Sequence, residues 1–368
     1  MRVASHINHV PSEEFAGIRV QRKFIVDAHE DIAYNVSLGR DFKRAALETR
    51  ALEDPPIPKR GMATVGLPDL LKTNIRIVFG TIWAAPCGVE DIEIGPCYQT
   101  AEEAYVLAKR QLEYYDELAQ DPRIRLIRRR SDVDHVLEAP EPTLGLVILM
   151  EGADPIITPE QTHEWFEAGV RIIGPAWQRT RYSGGTKAPG PLTEAGRELM
   201  SEMERIGMIL DISHLAEASF YEALDLFHGN VIASHCNSRV YVPTDRQLSD
   251  EMISALIARN TVIGTVLYNA FLQADWKETG RVKRKVTLLD VVKHIKRVCE
   301  LAGDAAHAGL GSDLDGGFGA ESIPAEMDTV ADLPKIRDAL AAAGFSERDI
   351  DNVMGQNWVE FLKRALPS

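Results

Sequence analysis

Short apolar runs recur along the chain, each ending on a polar residue. They begin near Phe24, Ile75, Leu144, Gly169, Met208, Val231, Thr261 and Ala308. Runs of this length suit buried strands and are too short for buried helices. Between most of them apolar positions return at helical spacing. Ala104, Leu107, Leu112, Tyr115 and Leu118 mark a helix over Gln99–Gln120, and Phe220, Leu224 and Phe227 mark one over Ala216–Phe227. Thr193–Ile206, Ser249–Arg259 and Thr287–Ala302 read the same way, and helices are expected over Ser131–Leu137, with Ser131 as cap, and Leu67–Leu71. The last residues give helices near Leu333–Ala343, Ser346–Met354 and Asn357–Ala365. Eight strands alternating with helices predict an α/β fold, a (β/α)8 TIM barrel, as one domain over 1–368. An N-terminal extension covers about 1–22 and the C-terminal helices about 333–366. Gly39–Gly61 and the stretch PAWQRTRYSGGTKAPG read as long loops.

In such a barrel the functional groups sit at the C-terminal ends of the strands. The clearest unit is GMILDISHLAEASFYEALDLFHGNVIASHCNSR, strand–helix–strand, with His214 and His235 closing its two strands. Adjacent parallel strands lie about 5 Å apart, so both imidazoles reach one rim. Each alone reads as readily as a capping or core histidine. The first strand ends in DAHED, where alternate residues of an extended segment let His29 and Asp31 face one ion. Glu151 follows LGLVILM directly, and a carboxylate there is costly unless paired or bound to metal. Tyr268 and Asp313 end two further strands. This joint placement points to a metal site. Three imidazoles with carboxylates and no cysteine favour zinc or a similar first-row ion. So many ligands exceed what one catalytic zinc with an open position takes, and two ions bridged by Glu151 fit better.

A net charge of -14 argues against nucleic acid or an anionic membrane as partner. The start, MRVASHINHVPSEEF, has no apolar signal-peptide core, and no run reaches the length of a membrane span. Cys87, Cys97, Cys236 and Cys299 are scattered and read as free thiols of a reducing compartment, with a Cys87–Cys97 pair across a loop as the alternative. A cytoplasmic location is expected. GLGSDLDG misplaces the third glycine of a dinucleotide fingerprint, and DLDGG lacks the flanking pattern of a calcium loop.

DAHED, the strand ending in EG, LTEAGRELMSEMERIGMILDISH, VIASH and GLGSDLDG resemble the membrane dipeptidase (renal dipeptidase) family of amidohydrolase-like barrels, from about Phe24 to Leu362. The resemblance implies zinc-dependent hydrolysis of dipeptides by a metal-bridging hydroxide. It implies His29 and Asp31 on the first zinc, His214 and His235 on the second, Glu151 bridging, and Asp313 as general acid/base. Arg246 falls where the family binds the substrate carboxylate, and Tyr268 near an aromatic pocket position. A homodimer is compatible with the resemblance but has no motif of its own. Trp177 stands where the family has a histidine that hydrogen-bonds the developing oxyanion. An indole can donate but carries no charge. Either Trp177 donates, a neighbour such as Gln178 or Arg179 takes over, or the substrate is another small amide, lactam or lactone. A non-catalytic metal-binding protein is a further alternative.

Overall fold

The computed structural model describes residues 23–89 and 95–368. The expected N-terminal extension lies outside the described residues. Eight parallel strands form one sheet: β1 (Ile25–Glu30), β2 (Ile75–Trp83), β3 (Leu144–Glu151), β4 (Val170–Gly174), β5 (Ile209–Asp211), β6 (Val231–Ile232), β7 (Ile263–Thr265) and β8 (Ala308–Leu310). Their spatial order is β6-β5-β4-β3-β2-β1-β8-β7, and a parallel bridge from Ala233 to Ile263 closes the ring. All eight expected strands are present. A short strand, Ile124–Leu126, pairs with the start of β3.

The strands are apolar on both faces because both are covered. Val26, Ala28, Ile77, Phe79, Val147 and Leu149 form one buried cluster with Trp358, Phe361 and Leu362. These strand residues alternate, so the cluster fills the barrel interior, and the helix Asn357–Ala365 closes it from below. Trp358 is fully buried, donates its indole N–H to Leu310 O at 3.0 Å, and meets Phe79 edge-on. The opposite strand face (Ile25, Val78, Ile82, Leu146, Ile148, Met150) packs in a second cluster with helix residues such as Leu112 and Tyr115.

The helix Ala101–Leu118 starts on a capping box. Thr100 accepts from the Glu103 amide, and Glu103 accepts from the Thr100 amide at 3.2 Å. It also braces the upper end of β2. Gln111 exchanges two hydrogen bonds with the backbone of Trp83, and the Tyr115 hydroxyl donates to Thr81 O at 2.8 Å.

Several local expectations are corrected. The helix expected over Ser131–Leu137 runs Arg130–Glu138, with Ser131 inside it. Asp132 in its first turn accepts from the amides of Arg128 and Arg129, at 3.0 Å each, and so organises the start. The loop between Gly39 and Gly61 contains the helix Ala46–Leu52. The Gly-rich stretch after β4 folds into an antiparallel hairpin, Ser183–Gly185 with Ala188–Leu192. Cys87 and Cys97 are joined in a disulfide, and Cys236 and Cys299 are free. The pairing of Ala85–Pro86 with Cys97–Tyr98 brings those two cysteines together, which linear spacing does not reveal. It removes the cysteine ground for a reducing compartment. No helix among the described residues is long and apolar enough to cross a membrane.

Replacing Trp358 by Ala empties the lower barrel and is expected to cost about 3–5 kcal/mol of stability. Urea unfolding measures it; a loss below about 1 kcal/mol would show that the C-terminal helix is not part of the core.

Candidate metal centre and active site

The upper strand ends converge on Glu151. Its Oε1 lies 3.0 Å from His214 Nε2 and 3.3 Å from His235 Nε2, and its Oε2 lies 3.6 Å from His29 Nε2. The Nε2 atoms of His214 and His235 are 3.1 Å apart, and the rings of His29 and His235 stack at 3.6 Å. His29 Nε2 also faces Asp31 Oδ1 at 4.0 Å and Asp313 Oδ1 at 3.9 Å. Two sets of donors, His29–Glu151–His235 and His29–Asp31–Asp313, each hold all their ligand atoms within 4.8 Å of one another. Six of the seven residues expected from the strand ends, all but Tyr268, therefore meet in one place. His214 and Asp313 have φ of 68° and 61°, a left-handed backbone uncommon outside glycine and found at functional sites.

The charges in this cluster depend on one another. Burial opposes a charge on His29, but Glu151, Asp31 and Asp313 push its pKa up to about 10. Burial would raise Glu151, yet the charge of His29 and the imidazoles of His214 and His235 beside it hold it well below the carboxylate range. Burial, with Arg246 nearby, brings His214 down to about 4 and holds His235 well below its usual value. Burial lifts Asp31 to about 6 against the pull of His29. Burial also raises Asp313 well above the carboxylate range, reinforced by Asp31 and Glu151 and opposed by His29. A proton is thus held where several carboxylates need a cation.

Further residues hold these groups in place. Thr81 donates to Asp31 Oδ1, and Thr186, at the hairpin tip, lies 3.0 Å from His214 Nδ1. Asn35 Nδ2 donates to Asp31 O and Asp315 O, at 2.9 Å each, tying the end of β1 to the loop after β8. Arg40 in turn donates to Asn35 Oδ1. Asp27 accepts both the amide and the hydroxyl of Ser312, the residue before Asp313. Asp211 does the same for Ser234, the residue before His235. Sequence reasoning singled out none of these. The available signal was a polar residue inside an otherwise apolar strand end.

Arg246 is buried beside the cluster. It donates to His235 O at 2.7 Å and sits 5.4 Å from the centre of the Phe271 ring, while its Nε has no hydrogen-bond partner. Tyr268 joins this side through Phe271, at 5.0 Å, and stacks on Phe318 at 4.5 Å. Trp177 is half-buried, its ring 6.2 Å from that of His214 and 4.9 Å from that of Trp83, and Trp83 meets Tyr34 edge-on. These three aromatics form one wall of the site. Arg179 is exposed and donates to Pro189 O.

The donor set fits a metal. His29 Nε2 is buried and has no hydrogen-bond partner while three carboxylates face it. Histidines with carboxylates and no thiolate are the ligands of zinc and its neighbours. Fold and site together define a metal-dependent enzyme of the amidohydrolase-type barrel. The profile of the membrane dipeptidase family (peptidase family M19) matches residues 15–366, and the chain belongs to that family of metallo-dipeptidases. An uncharacterized protein in the pqqA 5' region of Klebsiella pneumoniae is 30% identical over 253 residues, 66% of this chain and 89% of that protein. The dipeptidase tcpJ of Claviceps purpurea is 32% identical over 177 residues, 47% of this chain and 38% of its own length. A metallo peptidase of Rhodobacter sphaeroides, solved with a phosphinate mimic of L-Ala-D-Ala, superposes with a TM-score of 0.77 at 24% identity, over 93% of this chain and 99% of that one.

A metal ligand must give up its proton. Because His29 holds one at neutral pH in the metal-free protein, metal binding is expected to release it and to weaken as pH falls. Calorimetry in buffers of different ionisation enthalpy measures this release, and a binding heat independent of the buffer would contradict the assignment.

Proposed function

We propose that the chain is a dinuclear zinc hydrolase of dipeptides. The observation that carries this reading is one buried carboxylate, Glu151, facing three imidazoles, with Asp31 and Asp313 beside His29. His29 and Asp31 would hold one ion, His214 and His235 the other, and Glu151 both. When bound, the ions supply a Lewis acid for the carbonyl oxygen and lower the pKa of water enough to make it a nucleophile at neutral pH.

The protein's own groups do the rest. Asp313 takes the proton of the attacking water and passes it to the leaving amine, a role supported by its place in the cluster, 3.9 Å from His29 Nε2. Arg246 binds the C-terminal carboxylate of the dipeptide, its Nε lacking a protein partner. The solved Rhodobacter relative, with its L-Ala-D-Ala mimic, supports including dipeptides with a D-residue at the C-terminal position. Trp177 stands 6.2 Å from His214, ring to ring, and in this reading its indole N–H would donate to the carbonyl oxygen. The same residue favours a second reading, hydrolysis of another small amide or lactam, because the wall of Tyr34, Trp83 and Trp177 is aromatic where the family has a histidine.

Asp313→Asn is expected to lower kcat by roughly 10²–10⁴-fold with zinc content unchanged; retained turnover would remove Asp313 from the mechanism. Arg246→Ala is expected to raise KM for free dipeptides about 10–100-fold, and far less for substrates lacking the carboxylate. An equal effect on both would favour the second reading.

A further inference from the structure

We propose that Asp211 and Ser234 are positioning residues that fix the tautomer of His235 and thereby the affinity of the ion that His235 and His214 hold. This inference rests on the dinuclear reading above. Asp211 ends β5 and is 1% exposed. Its Oδ1 accepts the amides of Ser213 at 3.0 Å and Ser234 at 2.9 Å, and its Oδ2 accepts the Ser234 hydroxyl at 2.5 Å. Ser234 Oγ also lies 2.7 Å from His235 Nδ1, 3.2 Å from Ser213 Oγ and 3.5 Å from His29 Nδ1.

A hydroxyl has one proton to give, and a carboxylate can only accept. The Ser234 proton is therefore committed to Asp211. Toward His235 the hydroxyl can offer only a lone pair, so Nδ1 must be the nitrogen that carries hydrogen. That leaves Nε2 bare, facing Glu151 Oε1 at 3.3 Å. Two lone pairs opposed in a buried site repel, and a cation between them turns the repulsion into ligation. Outer partners of metal-bound histidines act in this way generally, setting both ring orientation and basicity.

The surrounding backbone holds the serine in place. A Cβ on Gly264 or Gly311 would come within 1.9 or 1.8 Å of Ser234 O, so glycine at both positions lets the strands close on it. Ser213 supports the same order. Its hydroxyl accepts the His235 amide at 3.2 Å and is free to donate to Ser234.

Asp211→Asn reverses the polarity with little change of shape. The amide oxygen can keep the two backbone N–H groups, while its NH2 points at Ser234 Oγ. The serine proton then turns to His235 Nδ1 and drives hydrogen onto Nε2. The test combines ¹⁵N NMR of the imidazole nitrogens in the metal-free protein with zinc affinities from chelator competition. Wild type is expected to show His235 protonated on Nδ1. Asp211→Asn should shift that proton to Nε2 and weaken one of the two zincs about 10–100-fold, with a smaller effect on the other. Ser234→Ala should weaken the same zinc, and Ser234→Thr, which keeps the hydroxyl, should restore it. If Asp211→Asn does not fold, as judged by circular dichroism, the Ser234 pair decides. Equal zinc affinity in wild type and Ser234→Ala, or a wild-type His235 protonated on Nε2, would overturn the proposal. Failure of wild type to bind two zincs would overturn the dinuclear reading, while the NMR tautomer would still decide the role of Asp211.

Discussion

A carboxylate buried among three imidazoles sets the terms for the rest of this molecule. Glu151 sits at the end of a fully apolar strand, where an unpaired charge would cost several kcal/mol. His29, His214 and His235 meet it from three different strands. That convergence requires the barrel to close, the strand ends to stay level, and two residues, His214 and Asp313, to hold a left-handed backbone. It also leaves His29 Nε2 without a hydrogen-bond partner among three carboxylates. A cation relieves both problems together, so folding and metal chemistry are linked through one side chain.

The outer layer makes the arrangement rigid. Two aspartates, Asp27 on β1 and Asp211 on β5, each clamp a serine on a neighbouring strand, and each serine immediately precedes a site residue. The same device thus positions Asp313 and His235, whose strands β8 and β6 flank β7 in the ring. Asn35 adds a third tie, joining the carbonyls of Asp31 and Asp315. The Asp315 carboxylate accepts from Thr64 and Val65 and faces Arg40 at 3.5 Å, so the segment after β1 and the loop after β8 are held together. Trp83, whose backbone is gripped by Gln111, sets the aromatic wall on which Trp177 rests.

Much of this was legible in the chain. Each barrel strand is an apolar run with a polar end, and that pattern locates His29, Asp31, Glu151, His214, His235 and Asp313 without any knowledge of their partners. The second layer was not, because Asp211 and Ser234 look like ordinary polar interruptions until β5 and β6 are placed side by side. The hairpin that carries Thr186 to His214 was hidden by a Gly-rich composition typical of loops. The Cys87–Cys97 bond was legible only as an alternative to free thiols for a related reason: it depends on a parallel pairing of two-residue strands, and no linear spacing encodes that. Asp132 displaced the expected helix start at Ser131 because a carboxylate that satisfies two free amides and an arginine outweighs a single hydroxyl cap.

The central claim is that this cluster holds two zinc ions and hydrolyses dipeptides. Its most direct test is the hydrolysis of a small panel of L-L and L-D dipeptides by the zinc-loaded protein, with metal content determined on the same sample. Two zincs per chain with turnover is the result predicted here. It would also show that Trp177, or a neighbour, can serve in place of the histidine expected there. A chain that binds no zinc at the Glu151 cluster, or that binds two and cleaves none of the panel, would contradict the account.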